Sequence, residues 1–428
     1  IAIATKSEGS MAVFMIALGV LGFGTTFLFL LISPILYWDV LPDKWSGSGI
    51  HALLWILPLN FAAIGVSQLL TSWLMTHNDY RSTAAARVAE SFSDRAVSCL
   101  CALSSITQHL GLAWGRLLGS VTSTYVLLRA ARRSYERGMW ASLSLLQLFR
   151  IMSRYRHFAL VSSCATLCDS AARQAPALLL AIYYSPVTTG YYALAFQVAN
   201  VPLLIAGDAL ASTFFQRAIL NRGNSAKLAN DTLRLFRTML CVIIPVTLAL
   251  WFLGKPSFRL VFGASWEQAG AYAEVLAIGF LFMFLHRPLS VLFDVFEAQT
   301  ARLWFDIINL ALRTITIIGL ASWFQDPTIV LIGITTVSAG LYGIGILYLL
   351  QVAGVTVHQS VSLLSRQALL FVPLGLALWL IVPMGIAAQP NIALALFALA
   401  SQAFMLFHYE RETISLVASL ATPRQRTS

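Results

Sequence analysis

The feature that most constrains this chain is a recurrence of apolar runs long enough to cross a bilayer. The hydrocarbon core is about 30 Å thick and a helix rises about 1.5 Å per residue, so a spanning helix needs roughly 20 mainly apolar residues. Such runs recur at 11–37, 49–75, 83–105, 109–129, 158–184, 187–216, 228–252, 268–296, 301–323, 328–353, 367–388 and 390–408. Charged residues make up 11% of the chain, against about 25% in soluble domains. A membrane β-barrel would instead show alternating segments of about 10 residues, and the sequence has none. The expected fold class is therefore an all-α polytopic membrane protein of about twelve transmembrane helices. The segment 83–105 is the least lipid-like, because "AAARVAESFSDRAVS" is polar.

The formal net charge of +10 is explained by membrane topology, and nucleic acid is not an expected partner. Residues 129–156 hold Arg129, Arg132, Arg133, Arg137, Arg150, Arg154 and Arg156 against Glu136. By the positive-inside rule this loop is cytoplasmic. Alternating outward from it collects Lys6, Arg81, Arg217, Arg222, Lys227, Arg302, Arg366, Arg411, Arg424 and Arg426 on the inner side. Lys44, Lys255 and Arg259 remain outside. Both ends of the chain then face the cytoplasm, and the phospholipid bilayer is the first partner. Cys99, Cys101, Cys164, Cys168 and Cys241 all fall in expected spans, so free thiols are expected. Cys164 and Cys168 share a helix face without a further soft ligand, which favours packing over a metal site.

Two segments read alike. "KWSGSGIHALLWILPLNF" at 44–61 and "SWEQAGAYAEVLAIGFLF" at 265–282 pair Trp45 with Trp266, Ala52 with Ala273 and Phe61 with Phe282. The same offset pairs Arg81 with Arg302 at the next basic turn. Duplicated bundles are common among transporters. In the second copy, helices at 158–184 and 187–216 precede the repeated block, and the first copy lacks their counterparts. The chain also begins with Ile1. The expectation is that two helices of a fourteen-helix fold, about 60 to 70 residues, precede residue 1. The alternative is a native twelve-span protein with unequal halves. The expected organisation is an N-terminal bundle at 1–129 (four of six helices) and a cytoplasmic amphipathic linker at 130–156. A six-helix bundle at 157–353 follows, then two extra helices with a basic cytoplasmic tail at 354–428. Within the linker, "GMWASLSLLQLFRIMS" at 138–153 is too short to span and fits a helix lying on the inner leaflet.

A more specific signal lies between residues 155 and 217. "YRHF" at 155–158 precedes a span containing Pro176 and "LLL" at 178–180. A turn ending at Gly190 follows, then "YYALAFQV" at 191–198, Pro202 and "FQR" at 215–217. With "VFGASWEQAGAYAEVLA" at 261–277, this order resembles the bacterial O-antigen and exopolysaccharide flippases of the MOP exporter superfamily. The turn "YYSPVTTG" departs from the aromatic-glycine pair more usual there, and the first two helices are missing. The resemblance implies two helical bundles around a central cavity. It also implies alternating-access transport of an undecaprenyl-diphosphate-linked oligosaccharide across the bacterial cytoplasmic membrane, without catalysis. Implied partners are the lipid-linked oligosaccharide and the polymerase and glycosyltransferases of the same pathway.

Polar residues inside spans mark candidate sites, since a mid-bilayer charge costs about 2.5–3.5 kcal/mol on insertion scales. Asp169 and Arg173 are four residues apart, hence on one helix face. They read either as an ion pair that eases insertion or, with Gln174, as the wall of a wet cavity. Gln197, Asn200 and Asp208 add polar groups to the next span, around Pro202. For a diphosphate, arginine is the fitting donor because its planar fork stays charged. Arg173 comes first, then Arg287 and Arg313, with His286 nearby; Arg287 reads equally as snorkelling to an interface, whereas Arg313 is mid-span and its lining reading is favoured. Asp169, Asp208 and Asp294 read as carriers of a coupling proton or sodium ion, or as charge balance for arginines, the second being favoured. No other cofactor and no metal is expected.

The third span, with Arg87, Glu90, Asp94 and Arg95, reads as a solvated cytoplasmic mouth. In the fourth, Gly111, Gly115 and Gly119 have the spacing that lets helices approach closely, while Arg116 has no evident role. HExxH, P-loop and GxSxG motifs are absent. Two rival readings remain. A polysaccharide polymerase or glycosyltransferase would present a large outer loop, and the longest here is about 15 residues. A cation-coupled drug exporter of the same superfamily would favour cavity carboxylates over arginines.

Overall fold

The computed structural model describes residues 20–22, 24–30, 50–76, 79–103, 111–133, 145–201 and 207–381. The expected span at 390–408, most of that at 11–37, and the basic tail lie outside the described residues. Among the described residues no strand occurs. The chain divides into two compact units, Ile1–His157 and Phe158–Ser428. Five helical segments are long and apolar enough to cross a membrane by length and composition: Ile56–Leu74, Ser225–Phe262, Ala264–Val295, Gln299–Trp323 and Pro327–Val352. The other expected spans within the described residues are helical, and most carry charge inside their apolar runs. The protein is a multi-pass helical membrane protein.

The first unit contains α1 (Ile50–Thr76), α2 (Tyr80–Leu103) and α3 (Gly111–Arg133). Asp79 starts α2 by accepting from the Ser82 amide at 3.1 Å. Leu70, Trp73 and Leu74 of α1 pack with Ala86 of α2 and with Leu127 and Ala130 of α3. The glycine ladder of α3 lies directly against α2. A Cβ built on Gly115 would stand 2.7 Å from the Asp94 carbonyl, and one on Gly119 2.9 Å from that of Glu90. That contact also gives Arg116 its role, because its guanidinium reaches the buried Asp94 carboxylate at 3.9 Å. Asp94 thus belongs to a helix contact, in place of the solvated mouth expected for it. Thr124 of α3 donates to the Ala63 carbonyl of α1 at 3.0 Å.

Helix α4 runs without a break from Leu145 to Tyr183. Of the expected linker segment at 138–153, residues 138–144 lie outside the described residues, and residues 145–153 form the beginning of α4. No glycine or proline occurs between Leu145 and Ala175 to stop it. Within the expected span at 187–216 the described helices are α5 (Pro186–Ala199) and α6 (Asp208–Leu220). Ser185 caps α5 by accepting from the Thr188 amide, with Pro186 in its first turn. Asn200 closes α5, its amide donating to the Phe196 carbonyl.

The second unit continues with α7 (Ser225–Phe262), α8 (Glu267–Leu289), the short α9 (Val291–Val295), α10 (Gln299–Trp323), α11 (Pro327–Val352) and α12 (Val357–Ile381). Gly263, at φ +97°, turns the chain out of α7 into a short 3-10 turn at Ala264–Trp266. The core gathers around α8, where Phe280, Phe284, Leu285 and Leu289 pack with Phe236 and Met239 of α7 and Val330 and Leu331 of α11. At one end Tyr191 meets Trp266 edge to face at 5.9 Å, and Tyr184 donates to the Phe324 carbonyl at 2.8 Å. Rings with polar tips suit a membrane–water boundary.

Candidate functional site

The helix α10 is built inside out. Its buried face carries Asp306, Asn309, Arg313 and Ile317, with the first three only 7%, 1% and 6% exposed. Trp304, Ile308, Leu312, Ile315 and Ile318 lie exposed. With Arg302, the polar positions fall at intervals of four, three and four, which is one helix face. A water-soluble helix would bury the opposite stripe. In a bilayer the arrangement is sensible, because lipid takes the apolar face and the bundle encloses the polar one.

Against this stripe stands a cavity of about 290 Å³. Its charged lining is Asp169 and Arg173 from α4, Arg287 from α8, and Arg302 and Asp306 from α10, completed by His286, Ser290 and Tyr342 among others. Arg173 pairs with Asp169 one turn before it, and its second amino group lies 3.4 Å from the Ser170 hydroxyl. Both side chains of the pair are about a third exposed, at 32% and 29%, so the ion pair faces open space. The two readings of Asp169 and Arg173 are therefore compatible in one geometry. Arg302 reaches Asp294 at 3.4 Å and Asp306 at 3.8 Å. The volume lies at the lower edge of small-ligand pockets, which run about 300–1,000 Å³.

The back wall is aromatic. The His286 ring stacks on Phe305 at 4.6 Å and tilts against Tyr342 at 5.2 Å. Gly345 of α11 permits this: a Cβ there would meet Phe305 Cε2 at 2.8 Å and His286 Cδ2 at 2.9 Å. Asn309 holds Tyr342 by donating to its hydroxyl at 3.1 Å. Behind the wall lies a second, small cavity of about 20 Å³, lined by Arg313 with Tyr192, Thr335 and Ser338. Met283 and Tyr342 border both spaces.

A family model described as polysaccharide biosynthesis protein matches residues 4–271. The chain belongs to this family. No curated protein is similar enough in sequence to match it. Among solved structures it is similar to the lipid II flippase MurJ in an inward closed conformation, at 13% identity and TM-score 0.66, covering 94% of this chain and 85% of that one. It is also similar to MATE in complex with MaL6, at 15% identity and TM-score 0.63, with 82% and 81% covered. MATE in the bent conformation follows, at 15% identity and TM-score 0.59, with 86% and 82% covered. The chain thus shares its fold with the MurJ and MATE structures.

In this family member the structure gathers only part of the residues singled out in the sequence. Asp169, Arg173 and Arg287 line the larger cavity, and Asp294 reaches it through Arg302. Arg313, expected beside them, lines the small cavity instead. Gln174 and Gln197 are exposed and Asn200 is half-buried, and none of the three lines either cavity. The Asp208 backbone opens α6, but its side chain lies outside the described residues. Arg302, assigned from the sequence to a cytoplasmic turn, is a lining residue. Asp306 and Asn309 were legible only as members of the stripe through Arg302 and Arg313.

Proposed function

We propose that this protein moves an undecaprenyl-diphosphate-linked oligosaccharide across the bacterial cytoplasmic membrane by alternating access, with the diphosphate engaged by Arg173, Arg287 and Arg302. The observation that carries this reading is the convergence of three arginines, Arg173, Arg287 and Arg302, on the larger cavity. Asp169 and Asp306 lie on their arginines in this state. A diphosphate brings more negative charge and more acceptor oxygens than a carboxylate, and so competes for the same forks. Displaced aspartates then become the natural carriers of a coupling proton or sodium ion. The space suits a phosphate-sized group, which leaves the sugars and the polyprenyl chain to the surrounding bundle and lipid.

A drug exporter of the MATE type would share the fold. It needs a carboxylate free for a cationic cargo, whereas Asp169, Asp294 and Asp306 each face an arginine. Arg173→Ala, expressed in cells that depend on this chain for surface polysaccharide, is expected to abolish export while the protein stays in the membrane. The lipid-linked intermediate then accumulates on the cytoplasmic leaflet. Full export by that variant removes Arg173 from the site, and loss of the wild-type protein without any accumulated intermediate overturns the flippase reading.

A further inference from the structure

We propose that Arg313 holds a small monovalent anion, chloride by size and charge, in a site of its own behind the wall of the larger cavity. Arg313 is 6% exposed and its Nε has no hydrogen-bond partner. Among the described residues no carboxylate pairs with it: Asp169 is taken by Arg173, and Asp294 and Asp306 lie on Arg302. Asp306 stands seven residues before it on the same helix, about 10 Å along the axis. An uncompensated cation in a low-dielectric interior costs several kcal/mol, so its counter-charge has to come from elsewhere.

The surroundings specify what that counter-charge is. Tyr192 Oη, Thr335 Oγ1 and Ser338 Oγ are each buried without a hydrogen-bond partner. All three line the same cavity of about 20 Å³ as Arg313. They come from α5 and α11, while Arg313 comes from α10, so three helices converge on one point. The rest of the wall is largely apolar, including Phe196, Leu276, Phe280 and Ile334. A guanidinium donates only, and each hydroxyl is free to donate. Four donors around a cation-lined hollow suit an acceptor that carries negative charge. A water molecule accepts two hydrogen bonds and leaves the arginine uncompensated. The space is small, about 20 Å³, and suits a halide better than a larger oxyanion. This site does not depend on the transport reading above, and its test uses no transport measurement.

The full chain, purified in detergent in gluconate, is titrated with chloride and in parallel with bromide while thermal unfolding is followed. The expected result is a saturable rise of the midpoint by a few degrees, with no rise from sulfate at equal ionic strength. Arg313→Gln is expected to lose the halide dependence, and Ser338→Ala and Thr335→Val to weaken the apparent halide affinity about tenfold each. Crystals grown in bromide are expected to give an anomalous peak bounded by Arg313, Tyr192, Thr335 and Ser338. Should Arg313→Gln fail to fold, the hydroxyl variants and the bromide peak carry the test alone. Equal wild-type midpoints in chloride and gluconate overturn the proposal. So do a halide shift that persists in Arg313→Gln and a cavity that holds only water in bromide.

Discussion

Arg302 serves two acids at once, and removing it isolates the effect of charge inside the bundle. Its guanidinium lies 3.4 Å from Asp294 and 3.8 Å from Asp306. The Asp306 Oδ2 has no hydrogen-bond partner among the described residues, so the arginine is its main compensation. At an effective dielectric constant near 20, a pair at this separation is worth about 4 kcal/mol of Coulomb energy. The three side chains are 29%, 21% and 10% exposed, so solvent discounts this only in part. An aspartate can always escape by taking up a proton, which at pH 7 caps its penalty at about 4 kcal/mol. Arg302→Gln is therefore expected to destabilise the protein by about 2–4 kcal/mol, in line with other broken buried pairs. Asp306→Asn leaves the Arg302–Asp294 pair in place and is expected to cost under about 1 kcal/mol. The double variant Arg302→Gln/Asp306→Asn removes charge on both sides and is expected to recover at least half of the arginine's loss. Denaturant unfolding of the purified protein in one detergent, run as a double-mutant cycle, reads the coupling directly. Additive losses, or an Arg302→Gln protein as stable as wild type, refute the claim that charge balance holds this part of α10.

Packing makes its own predictions. Gly115→Ala places a methyl 2.7 Å from the Asp94 carbonyl, so α2 and α3 have to separate. The expected cost is about 1–3 kcal/mol of overpacking, reduced by up to about 1 kcal/mol from better helix propensity, and Gly190→Ala, inside α5 with open space around it, is the control that shows the propensity gain alone in the same unfolding assay. Gly345→Ala pushes on the His286–Phe305 stack and is expected to lower both the unfolding midpoint and polysaccharide export. A variant with normal export would show that the aromatic wall tolerates displacement.

Much of the fold was legible because its signals are local. Apolar runs mark helices, the ladder Gly111–Gly115–Gly119 marks a close contact, and the spacing of Asp169 and Arg173 marks a shared face. What stayed hidden needs two helices at once. Arg116 had no role until α2 brought Asp94 to it. Arg302 counted as a turn charge because the positive-inside rule treats a basic residue near a span end as solvated. Of the polar residues of α10 only Arg302 and Arg313 were weighed, each alone, although 302, 306, 309 and 313 share one face. The join between linker and span was missed for another reason: amphipathic composition marks a surface helix, yet nothing in residues 145–175 stops that helix from continuing.

The polar stripe of α10 and the glycine ladder of α3 express the same physics. In water, helices associate because apolar faces leave solvent. In lipid that drive between helices is gone, since acyl chains are as apolar as leucine. Close approach then rests on small residues, as at Gly115 against Asp94 and at Gly270, where a Cβ would come within 2.7 Å of the Lys255 Cα. The interior is correspondingly free to be polar, provided its charges are matched. Arg173 with Asp169, and Arg302 with Asp294 and Asp306, meet that condition within the protein. Arg287 adds a third guanidinium to the lining of the larger cavity, and three such forks converging on one space suit a group rich in acceptor oxygens. In the proposed function, that convergence is what the lipid diphosphate engages.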